Sequence, residues 1–454
     1  MIEHIPQPSK NQEDADRVQF IIRHAKEILP ILNDQNERSL VEHAARGMPF
    51  GENDREQLID ILERCETKLY TYEKSEYAPD AKRILVTSDN PGSFAGARHL
   101  IAAFLKDVRC KGVSTLVSGV AGKDFSQTFP EFEQVREQET LLADTLVLSK
   151  EEPFDVVIGT ISVENGPENL ALYGGKSNLR ANKTFLLFEA YGSLGGAFGL
   201  GTSDNMDKID GIFCNDELAK EIVQHFLPEY PAEKIFTTGT PVLEGLEVER
   251  AKQYRTDVRA ELGISPDAFT IAYLGDNSND YARMPNANPD INAVTFAKTL
   301  KGIKEFAART GSKETALIVR PHPRDPAKRV LLNCTDEQLQ NLAIVNGSMP
   351  AALNGILYAS DVVVSIMSSE NFLAPARGRY SIFLAYDGAG LGGEALRSGY
   401  GEEIFRKLKE MPNMFIVSTE SELTELLLNL SRESLPNATD PSSGTKNIVA
   451  QVLS

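Results

Sequence analysis

Residues 317–326 read Leu-Ile-Val-Arg-Pro-His-Pro-Arg-Asp-Pro, an apolar run that passes directly into a basic, proline-rich segment. A short continuous apolar run is typical of a strand that is buried on both faces, as in a parallel sheet covered by helices. In such sheets, ligands bind beyond the carboxyl ends of the strands. The stretch therefore predicts a parallel α/β sheet, with ligand-binding side chains immediately after its strands.

Similar runs form two series that alternate with helical stretches. The first series is Ile84-Leu-Val-Thr, Thr115-Leu-Val, Asp155-Val-Val-Ile, Thr184-Phe-Leu-Leu-Phe and Gly211-Ile-Phe-Cys. The second is Phe269-Thr-Ile-Ala-Tyr-Leu, Ala316-Leu-Ile-Val, Leu342-Ala-Ile-Val, Asp361-Val-Val-Val, Ser381-Ile-Phe-Leu and Met414-Phe-Ile-Val. This alternation predicts an α/β protein with two Rossmann-like domains that face each other across a cleft.

Changes in the pattern give the domain boundaries. Before the first series, apolar residues repeat at a helical spacing as far as residue 75, which predicts a helical amino-terminal extension. After the second series, the sequence becomes rich in Ser, Asn, Pro and Gly and then predicts a short last helix. The predicted segments are the extension at 1–80, Rossmann-like domains at 81–245 and 246–430, and a tail at 431–454.

The charge balance limits the possible partners. The chain has 454 residues, with 47 Lys plus Arg against 65 Asp plus Glu and a formal net charge of −18. Duplex nucleic acid and anionic membranes attract basic surfaces, so neither is a predicted partner, and an anionic ligand would need a local basic pocket. The four cysteines lie far apart, and no signal peptide or membrane-spanning run is visible. These features predict a cytoplasmic protein with reduced thiols.

The segment after Val319 supplies such a local basic pocket. Arg320, His322 and Arg324 follow the strand within five residues, and prolines on both sides of His322 restrict the backbone. Guanidinium groups form paired hydrogen bonds with phosphate, and a restricted loop loses less entropy on binding. The segment predicts a phosphate site. A solvated basic loop with a structural histidine is the alternative.

Two serines and a carboxylate follow the strand that begins at Asp361. Ser368 and Ser369 can cap the next helix and bind a phosphate at its positive end, and Glu370 can accept a hydrogen bond from a ribose hydroxyl. Helix capping alone is the alternative. No metal site is predicted, because the oxygen-rich run from Asp276 lacks the Gly and Glu of a calcium loop and is better interpreted as a loop at a strand end.

The first domain contains further candidates. Gly92 and Ser93 follow its first strand, where a small residue and a hydroxyl allow a ligand to approach the next helix; a cap with close packing is the alternative. Glu189 ends an apolar strand, and Glu164 follows the strand before it. A carboxylate in a half-buried setting can have a raised pKa and act as a general base, although a structural salt bridge would place an acid there too.

In this order, the segments resemble the GT-B superfamily, which contains nucleotide-sugar glycosyltransferases and UDP-N-acetylglucosamine 2-epimerases. The stretch Lys234-Ile-Phe-Thr-Thr-Gly-Thr-Pro-Val is similar to the V-T-G-N-P passage that precedes the family's second domain. His322-Pro323 and Ser368-Ser369 resemble the HP and SS motifs with which bacterial sialyltransferases and capsule-polymer transferases hold the phosphate of the donor nucleotide. The D-S-G-G segment of the epimerases is absent at residues 365–371.

The resemblance implies a metal-independent glycosyltransferase without a bound cofactor, whose co-substrate is a nucleotide sugar. The second domain would hold this donor, and the first would bind an acceptor whose hydroxyl is deprotonated by Glu189 or Glu164. Three alternatives stay open at this point: a nucleotide-sugar 2-epimerase, a hydrolase, and a GT-B-like protein that binds without catalysis. A homo-oligomer is compatible with each of them.

Overall fold

The computed structural model describes residues 35–46, 54, 58, 66–88, 91–118, 125–134, 140–141, 154–160, 181–188, 209–243, 248–276, 288–310, 314–322, 338–339, 342–347, 353–387, 392–393, 405–438 and 444–454. The described residues form two compact units. Unit 1 contains those between 35 and 243 together with 444–454, and unit 2 contains those between 248 and 438.

Unit 1 is built on one sheet. Its strands are β1 (Glu66–Glu73), β2 (Lys82–Ser88), β3 (Cys110–Ser118), β4 (Glu133–Gln134), β5 (Thr140–Leu141), β6 (Phe154–Thr160), β7 (Ala181–Phe188), β8 (Gly211–Cys214) and β9 (Ile235–Thr237). The spatial order is β4-β1-β3-β2-β6-β7-β8-β9, and β5 also pairs with β1. From β3 to β9 the pairing is parallel, so the first Rossmann-like sheet predicted from the sequence is confirmed.

Strand β1 corrects the helical prediction for this part of the chain. It pairs antiparallel with β3. The rings of Tyr70 and Phe125 lie 4.7 Å apart, and those of Tyr72 and Phe132 lie 5.6 Å apart. Aromatic residues that alternate with polar ones favour a strand with one buried face. The helical prediction was wrong here because Leu69 happens to continue the spacing of the apolar residues before it.

The helices are α1 (Gln35–Ala45), α2 (Pro91–Lys106), α3 (Glu217–Phe226), α4 (Val248–Glu261), α5 (Ile291–Arg309), α6 (Leu353–Ala359), α7 (Ser369–Leu373), α8 (Glu420–Leu430) and α9 (Gly444–Leu453). Short 3-10 turns lie at Ala232–Lys234, Pro241–Leu243 and Pro375–Arg377. None of the helices within the described ranges has both the length and the apolar character that crossing a bilayer requires.

Helix α9 confirms the predicted last helix and belongs to unit 1. Ile448 and Val452 are fully buried in the core of that unit. The amide of Asn447 donates to the carbonyl of Thr238 at 2.8 Å, and Lys82 Nζ donates to the carbonyl of Val452 at 3.0 Å. The helix therefore completes a core whose other members lie about two hundred residues or more earlier in the chain.

Unit 2 contains the second sheet. Its strands are β10 (Phe269–Leu274), β11 (Thr315–Arg320), β12 (Gln338–Leu339), β13 (Leu342–Asn346), β14 (Val362–Ser365), β15 (Tyr380–Leu384) and β16 (Met414–Val417). The spatial order is β12-β13-β11-β10-β14-β15-β16, and all pairs except β12 with β13 are parallel. The second predicted Rossmann-like sheet is thus confirmed, and its strand order reverses between β10 and β14.

The amino-terminal edge of this sheet is held by one acid. Asp361, just before β14, accepts hydrogen bonds from Arg255 at 2.5 Å, from Arg259 at 3.0 Å and from the backbone N–H of Thr270 at 2.7 Å. Arg259 also donates to backbone carbonyls, among them that of Ala359 at 2.9 Å. This network connects α4 to the starts of β10 and β14. It lies at the end of the sheet opposite to the carboxyl ends of the strands.

Candidate functional site

The carboxyl edge of the second sheet brings the main sequence candidates to one side of unit 2. Leu274 of β10 lies opposite Arg320 of β11, and Tyr273 lies opposite Val364 of β14. Because these strands are parallel, Arg320 and the segment after Ser365 leave the sheet at the same edge. The point at which strand order reverses is where doubly wound sheets form a crevice for ligands.

Arg320 is the last residue of β11 and is half-buried. One of its guanidinium nitrogens, Nη1, donates to the carbonyl of Gly347 at 3.2 Å. Burial lowers the pKa of Arg320, and the nearby carboxylate of Glu370 opposes this shift. An arginine keeps its charge under any ordinary condition, so a cation lies at this edge. The hydrogen bond to Gly347 restricts the orientation of its guanidinium.

His322 lies two residues beyond the end of β11 and is half-buried, after a buried Pro321. It follows Arg320 on the same edge, as the sequence predicts. Arg324 falls outside the described residues. Its part in a phosphate site therefore stays a prediction.

Ser368 is the N-cap of helix α7. Its Oγ accepts a hydrogen bond from the backbone N–H of Glu370 at 3.4 Å, and its own N–H donates to Ser365 Oγ at 3.0 Å. The capping predicted for Ser368 is confirmed, while phosphate binding stays a prediction. Ser369 begins the helix, and its side chain lies outside the described part of the chain.

Glu370 forms an ion pair that the sequence did not reveal. Its Oε2 lies 3.1 Å from Nη1 of Arg377, whose side chain is fully buried. The predicted hydrogen bond between Glu370 and a ribose stays a prediction, with this carboxylate oxygen already facing a guanidinium. The signal in the sequence was weak, because Arg377 stands outside the strand ends at which charged ligand groups were sought.

Asp276 is the second residue after β10, and its side chain contacts the residues that follow β14. Its Oδ2 accepts hydrogen bonds from the backbone N–H groups of Ile366 at 3.2 Å and Met367 at 3.5 Å. Its carbonyl accepts a hydrogen bond from the side chain of the fully buried Asn292. The sequence predicted a loop at this strand end. It did not reveal the hydrogen bonds between Asp276 and the residues before Ser368, because their partners lie about 90 positions apart.

The candidates of unit 1 are described less fully. Gly92 and Ser93 lie in the first turn of α2, directly after β2, but their side chains fall outside the described residues. Glu164 and Glu189 also lie outside the described ranges, so their general-base roles stay predictions. The described residue of note is His99 in α2: its burial, and then the charge of Arg98, lower its pKa to about 4.

A cavity of about 560 Å³ lies beside the edge strand β9 in unit 1. Its lining is mostly polar and consists of Glu217, Lys220, Ile235, Phe236, Thr237, Thr238, Asn447, Ala450 and Gln451. Three of these side chains already form hydrogen bonds: Thr237 Oγ1 donates to the carboxylate of Glu217 at 2.6 Å, and the amide of Asn447 donates to the carbonyl of Thr238. Sequence reasoning placed no site at this position.

No family model matches the chain, and no curated protein matches it significantly. Solved structures do. A Listeria monocytogenes protein assigned as a UDP-N-acetylglucosamine 2-epimerase is 13% identical, with 82% of this chain and 95% of that chain covered and a TM-score of 0.56. The UDP-GlcNAc 2-epimerase of Neisseria meningitidis, bound to UDP-GlcNAc, is 13% identical, with 82% and 99% covered and a TM-score of 0.53. The wall teichoic acid polymerase TagF is 11% identical, with 98% of both chains covered and a TM-score of 0.48.

At identities of 13%, the likeness to the two epimerases is one of fold. It covers almost the whole length of both of those proteins. The two parallel sheets of this chain thus share the fold of those two proteins.

Proposed function

The chain has the two Rossmann-like domains of the GT-B fold, and from this premise we propose that it is an enzyme that acts on a nucleotide-activated sugar. One observation carries the proposal. Arg320 and the Ser368 cap lie at the same edge of the second sheet, on either side of β10 and next to the reversal of strand order. A guanidinium and a helix cap at the carboxyl ends of parallel strands support a phosphate site here.

An anion at this edge would bind to Arg320. Its guanidinium is half-buried, whereas the fully buried Arg377 is already paired with Glu370. The carboxylate of Asp276 is occupied by the N–H groups of Ile366 and Met367. A cation that has lost part of its hydration binds a phosphate more strongly than an exposed one, because the surroundings screen the interaction less.

The reaction that we propose is glycosyl transfer from the nucleotide sugar to an acceptor hydroxyl. Arg320, His322 and Ser368 would stabilise the negative charge that develops on the departing nucleotide. Glu189, or failing that Glu164, would remove the proton of the acceptor. The reaction needs no metal and no cofactor beyond the nucleotide sugar itself. We place it in the cytoplasm, in keeping with the acidic charge and with the free cysteines Cys110 and Cys214.

A second candidate, nucleotide-sugar 2-epimerisation or hydrolysis, is favoured by a different observation. Two of the solved structures described above have TM-scores above 0.5. The Listeria monocytogenes protein is assigned as a UDP-N-acetylglucosamine 2-epimerase, and the Neisseria meningitidis protein is named as one. Such an enzyme converts the nucleotide sugar without an acceptor. Product analysis in buffer without an acceptor distinguishes the two reactions, since a transferase leaves the donor unchanged there. A protein that only binds would show affinity and no turnover in either condition.

Calorimetric titration with UDP, CMP, GDP and CDP-glycerol tests the proposal. We expect one of these to bind, and Arg320→Ala and His322→Ala each to weaken binding by about tenfold or more, because each removes a donor to the phosphate. Arg406→Ala is the matched control, since Arg406 is an exposed arginine of unit 2 that pairs with Glu410. The proposal is wrong if no nucleotide binds, or if the two site variants bind like the control.

A further inference from the structure

We propose that Asp276 is a positioning residue, which holds the Ser368 cap beside Arg320 so that both reach the phosphate of a bound nucleotide. This inference rests on the proposed function. From the sequence, Asp276 is only the start of a loop at a strand end. Its importance follows from its place between the two strand ends that carry the candidate phosphate-binding side chains.

Strand β10 lies between β11 and β14. Residue Gly275 donates its backbone N–H to the carbonyl of Arg320 at 2.8 Å. The next residue, Asp276, reaches in the other direction and accepts the N–H groups of Ile366 and Met367 at 3.2 and 3.5 Å. Two consecutive residues therefore connect the end of β11 to the residues between β14 and Ser368.

Buried residues at the start of α5 support Asp276. The side chain of Asn292, at the start of α5, donates to the carbonyl of Asp276, and Asn292 is fully buried. Its neighbour Ile291 packs against Ile366 in a small cluster of buried residues. The same end of α5 thus holds both partners of the contact, which reduces the freedom of Asp276 to take another orientation.

A series of hydrogen bonds leads from Asp276 to the Ser368 cap. The segment that Asp276 holds is flanked by Ser365, whose Oγ accepts the N–H of Ser368 at 3.0 Å. The Oγ of Ser368 in turn accepts the N–H of Glu370 at 3.4 Å. Without an acceptor at position 276, two backbone N–H groups would lose their partner, and the segment would rearrange to find another.

A positioning role makes a specific prediction about charge. A carboxylate near a bound phosphate repels it, so Asp276 does not attract the ligand directly. Its contribution is the acceptor oxygen. Asn at this position keeps an acceptor oxygen and loses the charge, whereas Ala loses both. Asp276→Asn should therefore keep nucleotide affinity, and Asp276→Ala should lose it.

The experiment measures two properties of the full chain: calorimetric affinity for whichever of UDP, CMP, GDP and CDP-glycerol binds the unaltered chain most tightly, and hydrogen exchange of residues 362–373 by mass spectrometry. For Asp276→Ala we expect affinity about tenfold weaker and exchange at Ile366 and Met367 about tenfold faster. For Asp276→Asn both should stay within about threefold of the unaltered chain, or affinity should increase. Asp267→Ala, at an exposed acid before the other end of β10, is the control and should change neither.

Several results would overturn the inference. It fails if Asp276→Ala binds and exchanges like the unaltered chain, or if Asp276→Asn is as weak as Asp276→Ala, since the charge would then be what matters. If Asp276→Ala does not fold, Ser365→Ala removes the next link and must also weaken binding. Absence of nucleotide binding by the unaltered chain is a different failure, because it removes the proposed function itself.

Discussion

The carboxylate of Glu370 lies 3.1 Å from the guanidinium of Arg377, whose side chain is fully buried. Glu370 is the second residue of α7, and Arg377 is the last residue of the 3-10 turn that follows the helix. The ion pair therefore spans the short helical segment that Ser368 starts. Its presence ties the shape of the candidate phosphate site to the stability of unit 2.

Arg377→Met should lower the free energy of unfolding of unit 2 by about 3–5 kcal/mol, because it leaves the largely buried carboxylate of Glu370 without its partner. Urea denaturation followed by circular dichroism measures this. The double variant Arg377→Met with Glu370→Gln removes the unpaired charge and should recover part of the loss. A single variant that costs less than about 1 kcal/mol would show that the pair contributes no more than an exposed one.

Asp361→Ala should also destabilise unit 2 by about 3–5 kcal/mol, since it leaves Arg255 and Arg259 without the acid between them and Thr270 N–H without an acceptor. Asp361→Asn keeps one acceptor oxygen and should cost less. Thermal melting of the two variants beside Asp257→Ala, at an exposed acid of α4, measures the difference. Equal melting temperatures for Asp361→Ala and the exposed control would contradict the role assigned to this network.

Ile448→Ala should destabilise unit 1 by about 2–5 kcal/mol, because it opens a cavity in a packed core. Hydrogen exchange should become faster in β2, although that strand is more than 350 residues earlier in the sequence, and should stay unchanged in β10. Lys446→Ala, at an exposed position of the same helix, is the control. Faster exchange in β10 instead of β2 would show that α9 does not stabilise unit 1.

His99 should make unit 1 sensitive to acid. Its pKa in the folded chain is about 4, below the ordinary 6.5, so the folded state binds fewer protons than the unfolded state between these values. Stability is therefore fully present above pH 6.5 and is lost as the pH falls through 4. His99→Gln should show a smaller fall in melting temperature between pH 7 and about 4.5 than the unaltered chain, whereas His225→Gln, at an exposed histidine, should not. The same slope in all three proteins would rule out this effect.

Much of the architecture was predictable from the sequence, because buried parallel strands consist of continuous apolar runs. Every run proposed as a strand of the two series forms one in the structure. The common edge at which Arg320 and Ser368 lie was predictable for the same reason, since parallel strands end on the same side. Strand β1 was missed because its pattern depends on two tyrosines that pack against phenylalanines about 55 to 60 residues away.

The sequence by itself determined local features of this protein: which apolar runs form the strands of the two parallel series, where the basic segment follows one of them, and that Ser368 can cap a helix. Only the tertiary structure decided which residues support that cap. Asp276 accepts a hydrogen bond from Ile366, which lies 90 positions later in the chain. Glu370 forms an ion pair with Arg377, which lies at the end of the turn that follows α7. Hydrogen bonds and ion pairs depend on distances of about 3 Å, and these are set by strand order and helix packing, which no local pattern of residues records.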